Sequence, residues 1–78
     1  MNYPFIFGAR GGGGVTPFPV RWDYIEVSET QYIGFGKTST TNSDIITIKK
    51  NVRNPSTGVI TTAYATDTWT NHLTATYS

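Results

Sequence analysis

No cysteine occurs among the 78 residues, which excludes disulfides and thiolate-ligated zinc. The one histidine, His72, leaves any zinc site dependent on carboxylates, and no acidic cluster supplies them. No metal or other cofactor is therefore expected. Charge is scarce, at 14% of residues with a net of +1, so the clustered basic excess of a nucleic-acid binder is missing. No apolar run approaches the roughly 18 residues that a membrane span takes. Met1-Asn2-Tyr3-Pro4-Phe5-Ile6-Phe7 has neither a basic start nor a long apolar stretch. It does not read as a signal peptide, and synthesis in the cytoplasm is the expectation. The common helix formers Glu, Leu, Lys and Ala are few, while Thr, Ser, Tyr, Ile and Val are plentiful, a bias toward strands. A chain this short buries only about 60% of the surface its unfolded form exposes. Small folds without disulfides or metals usually lean on oligomerisation. By elimination, added stability comes from other chains.

Composition changes near residue 20, which divides the sequence into an arm over residues 1–20 and a β domain over 21–78. The arm holds Pro4, Pro17, Pro19 and the run Gly11-Gly12-Gly13-Gly14. Four consecutive glycines read as a hinge, because ordering them costs more backbone entropy than any other residue type. Pro17 and Pro19 favour an extended approach to the domain. Ahead of the hinge lies a tip carrying Tyr3, Phe5, Ile6 and Phe7. An aromatic tip beyond a glycine hinge suits docking on a neighbouring chain, with Phe18 as a further anchor; folding back onto its own domain is the alternative.

From residue 21 alternation sets in. Trp22, Tyr24 and Glu26 oppose Asp23, Ile25 and Val27, and Ser28-Glu29-Thr30 reads as a turn. Gln31–Gly36 is a second strand, residues 37–44 a polar loop, and Ile45–Val52 a third strand. In the third, Ile46, Ile48 and Val52 share one face and Ile45, Thr47 and Lys49 the other. Asn54-Pro55-Ser56-Thr57-Gly58 is the strongest local signal, since Pro presets a turn and Gly supplies a positive φ. It predicts a hairpin onto Val59–Thr66. Another turn at Thr66-Asp67-Thr68 leads to a last strand over Trp69–Tyr77. Five short antiparallel strands predict a small sandwich or barrel. Its core is expected to draw on Trp22, Tyr24 or Ile25, Ile33, Phe35, Ile46, Ile48, Ile60, Trp69, Leu73 and Tyr77.

Motifs that suggest chemistry fail at named positions. Gly34-Phe35-Gly36-Lys37-Thr38 resembles the end of a phosphate loop, but the required earlier glycine is Gln31 and no helix follows. The two glycines instead suggest a bulge or a close backbone approach. Gly8-Ala9-Arg10 and the glycines after it cannot open the helix of a dinucleotide fingerprint, because Val15-Thr16-Pro17-Phe18-Pro19 follows. His72 is the only residue of a type suited to general-base work near neutrality, and it is expected as an exposed strand residue. Asp23 and Glu26 face opposite sides of a strand, which does not suit paired-carboxylate chemistry. No catalytic residue is assigned, and the chain reads as a non-enzyme. Lys49, Lys50 and Arg53 form a small basic group that suits edge protection, with phosphate contact as the alternative. Trp22 and Trp69 are expected in the core, although exposed they would suit a carbohydrate-binding face.

Tyr32-Ile33-Gly34, Thr47-Ile48-Lys49-Lys50, Trp69-Thr70-Asn71 and the closing Thr76-Tyr77 resemble, over residues 31–77, small virion structural proteins of tailed bacteriophages. The chain departs from that pattern at His72, where the family carries Arg, and at Ile45-Ile46, where Trp or Val is common. The resemblance implies a multi-copy component of the virion, at the capsid surface, neck or tail, whose partners are other virion subunits or copies of itself. Two further readings are a receptor- or glycan-binding module of a fibre and a small nucleic-acid-binding barrel.

Overall fold

The structure, a computed structural model, describes residues 16–78. The tip residues Tyr3, Phe5, Ile6 and Phe7 and the glycine run of the expected arm lie outside the described residues. Four strands, β1 (Phe18–Ile25), β2 (Thr30–Gly36), β3 (Ile45–Arg53) and β4 (Ile60–Thr68), form one antiparallel sheet in chain order. The fold is all-β, as expected. It is an open four-stranded sheet, however, and not a five-stranded sandwich or barrel.

Each connection has a local cause. Asn54 Oδ1 accepts the backbone N–H groups of Ser56 and Thr57 at 2.8 and 3.3 Å. Gly58 takes φ 78° and donates to Asn54 O at 2.7 Å. The expected hairpin closes there and sets the register of β3 on β4, with Arg53 opposite Ile60. β1 and β2 are joined by residues 26–29, where Glu29 N–H donates to Glu26 O at 3.1 Å. β1 already begins at Phe18, three residues inside the expected arm. A bulge between Pro19 and Arg21 adjusts its register, and Pro19 is tolerated because β1 is an edge strand among the described residues.

One face of the sheet carries the core: Tyr32, Ile46, Ile48 and Ala65 are buried, and Ile48 fully so. The predicted fifth strand does not form. Asp67 Oδ1 accepts Thr68 N–H at 2.7 Å and the Asn71 amide at 3.2 Å, which turns the chain out of β4 into a 3-10 turn over Trp69–Asn71. Residues 69–77 then cross the buried face and pack Trp69 and Tyr77 on the core. Only Ser78 pairs with the β4 edge, through two backbone bonds with Tyr64 at 3.0 and 3.1 Å. Lying on the face packs two large rings against the core and removes their apolar surface from water.

His72 fastens this cover and is not an exposed strand residue. Its Nε2 lies 2.8 Å from Asp23 Oδ2, its Nδ1 lies 2.7 Å from Trp69 O, and its side chain is 13% exposed. The ring stacks on Trp69 with centroids 4.0 Å apart and meets Tyr32 edge-on at 5.1 Å. Tyr77 donates its hydroxyl to His72 O at 2.6 Å. The close approach expected of Gly34 is real: a Cβ there would lie 3.0 Å from Trp69 Cε3 and 2.9 Å from Ile46 Cδ1.

Candidate interaction face

The opposite face of the sheet has no described residue packed over it. The pairing register builds it in rows. Pro19, Phe35, Thr47 and Thr66 make the first row, and Trp22, Ile33, Lys49 and Tyr64 the second. Tyr24, Gln31, Asn51 and Thr62 make the third. Arg53 and Ile60 continue beyond it, with Glu29 bonded to Arg53 through backbone and side chain. Of the expected core residues, Trp22, Tyr24, Ile33, Phe35 and Ile60 fall on this face, and Trp22 is 65% exposed, Tyr24 58% and Ile60 61%. Leu73 is also exposed, at 58%, in the segment after the 3-10 turn. Alternation in β1 and β2 offers two apolar faces, and the C-terminal segment covers the one that the smallness of Gly34 leaves open.

The face is not uniform. Its first two rows carry the large apolar and aromatic side chains Phe35, Trp22, Ile33 and Tyr64 among Thr47, Thr66 and Lys49, with Tyr64 50% exposed and Ile45, beyond the first row, 65% exposed. Its far end is polar and internally bonded. Thr62 donates to Asn51 Oδ1 at 2.7 Å, Asn51 donates to Gln31 Oε1 at 3.1 Å, and Arg53 donates to Glu29 Oε1 at 2.6 Å. Phe18, the one expected anchor within the described residues, starts β1 and is 40% exposed. The expected basic group does not come together. Lys49 lies on the open face, Lys50 lies on the covered face with Nζ 5.2 Å from the centre of the Tyr77 ring, and Arg53 is ion-paired to Glu29.

Among the described residues no cluster of His, Asp or Glu could hold a metal ion, and no helix is long and apolar enough to cross a membrane. No protein-family model, characterised protein or solved structure matches the chain.

Proposed function

We propose that the chain is a structural subunit of a large symmetric assembly, docking on its neighbours through the apolar end of its open sheet face and through its N-terminal arm. The assembly suggested by the resemblance of residues 31–77 is a tailed-phage particle, with the chain a capsid, neck or tail component. The observation that carries the reading is the row of Trp22, Ile33, Lys49 and Tyr64, with Phe35 in the adjoining row and Ile45 one row further, on a face that no described residue covers. Contiguous apolar surface of this kind marks an interaction site, and exposed Trp and Tyr are the residues that dominate interface energies. The thin core, with Ile48 alone fully buried, is what a subunit completed by its neighbours would have. Repetition in a symmetric particle lets a modest interface suffice for each copy. In this role the chain binds and does not catalyse.

The test is the solution mass of the full-length protein, alone and mixed with the products of its neighbouring genes. Higher-order species are expected. They should be lost when Trp22 and Tyr64 are both replaced by Ala, and lost when residues 1–14 are deleted, with the circular dichroism of the β domain unchanged in each case. A protein that stays monomeric under every condition refutes the reading. A truncated protein that unfolds returns the arm to the core of its own domain.

A further inference from the structure

We infer that the polar end of the open face is a binding site for a neutral saccharide. This goes beyond the assembly reading and does not rest on it. The site is a cleft of about 210 Å³ lined by Tyr24, Glu29, Gln31, Asn51, Arg53 and Ile60. These come from all four strands and the β1–β2 turn, and the sheet register fixes their spacing.

The chemistry of the lining selects the ligand. Tyr24 presents an exposed ring at one side and Ile60 an exposed aliphatic wall at the other. Between them runs a directional chain of hydrogen bonds, from the Thr62 hydroxyl to Asn51 Oδ1 and from Asn51 Nδ2 to Gln31 Oε1. That direction leaves the Gln31 Nε2 hydrogens and the second Asn51 Nδ2 hydrogen as donors without a bond among the described residues. At the end of the cleft Arg53 Nη1 occupies Glu29 Oε1, so Glu29 Oε2 accepts and the remaining guanidinium N–H groups donate. A pyranose has an apolar C–H face that stacks on an aromatic ring and neighbouring hydroxyls that both donate and accept. Such hydroxyls bridge amides and carboxylates of this kind.

The charge balance excludes the competitors. Arg53 and Glu29 cancel within the cleft, so neither a free phosphate nor a cation meets net opposite charge. A nucleobase could stack on Tyr24, but its phosphate would meet the paired Arg53 and Glu29 with no net attraction.

A second observation points to the same place. Glu29 has φ 48° and is the only non-glycine residue with positive φ among those described. Left-handed backbone is disfavoured for a side chain other than Gly or Asn, and strain of this kind collects at functional sites. A glycine would serve the turn, whereas Glu places a carboxylate in the cleft.

The experiment is a titration of the full-length, isotope-labelled protein followed by amide NMR. The ligands are methyl glycosides of glucose, galactose, mannose and N-acetylglucosamine, with inorganic phosphate and a short oligothymidylate as the other arms. At least one glycoside is expected to move the signals of Gln31, Asn51 and Glu29 saturably. Tyr24→Ala should weaken that binding about tenfold, the loss expected for one aromatic contact, while Tyr24→Phe should retain it. The wild-type shift map stands as the measurement if the alanine variant fails to fold. The inference is overturned if no glycoside moves these signals, if Tyr24→Ala binds as tightly as wild type, or if phosphate or the oligonucleotide moves the same signals more strongly than any sugar.

Discussion

Replacing Glu29 separates two opposing terms that meet at one residue. The left-handed backbone at Glu29, with φ 48°, costs about 1–2 kcal/mol relative to a glycine in the same place. Against this, the side chain holds an ion pair with Arg53 at 2.6 Å, with the two side chains 29% and 48% exposed. Exposed pairs of this kind contribute about 0–1 kcal/mol. Glu29→Gly removes both the strain and the pair. It also loosens the unfolded chain by about 0.4–1 kcal/mol, so its net effect is close to zero. Glu29→Ala removes the pair and keeps the strain, so it should destabilise by about 0–1 kcal/mol. The informative quantity is the difference: the glycine variant should exceed the alanine variant by about 0.5–1 kcal/mol, or roughly 2–8 °C in melting temperature for a domain of this size. Urea denaturation and thermal melts of the two variants and the wild type measure it directly. An alanine variant as stable as the glycine variant, or more stable, refutes the view that the turn imposes strain.

The remaining predictions concern the covered face. Gly34→Ala pushes a methyl group into Trp69 and Ile46, 3.0 and 2.9 Å from the new Cβ, and should cost about 1–3 kcal/mol; a loss under 0.5 kcal/mol would mean that the cover shifts freely. Asp23→Ala and His72→Ala should each destabilise, and a double-mutant cycle should return a coupling of about 1 kcal/mol, whereas additive losses would show that the 2.8 Å contact contributes nothing. Burial, followed by the proximity of Tyr32 and Asp67, pushes the Tyr77 phenol up to about 12 from its usual 10.0. The raised value favours the neutral hydroxyl in the fold, so its contribution is fully present below pH 10 and disappears as pH rises toward 12. Tyr77→Phe should remove that alkaline loss from the stability profile, measured by denaturation at a series of pH values, and an unchanged profile would sink the assignment.

Local chemistry is what the sequence conveys well here. The Asn54–Gly58 turn was readable because its cause lies within five residues, and the pairing of Asn51 with Thr62 follows from it. Strands β2, β3 and β4 stand within two residues of their expected limits for the same reason. Residues 69–77 misled because alternation is necessary for a strand but not sufficient. Trp69, Asn71 and Leu73 alternate as a strand would, yet the Asp67 carboxylate turns the chain away first. What holds the segment on the sheet is a contact between His72 and Asp23, 49 positions apart, and no local pattern encodes it. The available signal was Gly34, whose missing side chain opens space on the face that Trp69 fills. The open cleft was equally hidden, because Tyr24, Gln31, Asn51, Arg53 and Ile60 meet only once four strands are in register.

The open face divides in two for a reason of solvation. A single C-terminal segment of nine or ten residues can cover only one side of a four-stranded sheet. The uncovered side must then either be polar enough to stay in water or be covered by something else. The end near Tyr24 meets the first condition, because Thr62, Asn51 and Gln31 bond to one another and keep further donors for water, and Arg53 neutralises Glu29. Such a surface is stable when hydrated and can exchange water for hydroxyl groups at little cost. The end near Trp22 does not meet it: Trp22, Ile33, Phe35, Ile45 and Tyr64 offer water few hydrogen-bonding groups, and Lys49 is the only charge in their row. Burying a large ring such as Trp22 is worth about 25 cal/mol per Å², a gain that the described fold leaves unrealised. Under the assembly proposed above, a partner covering that end would have to meet Lys49 with a carboxylate, since an unpaired ammonium would oppose its burial. Two ends with opposite solvation needs are suited to two different occupants, a protein surface at one and a hydroxylated ligand at the other.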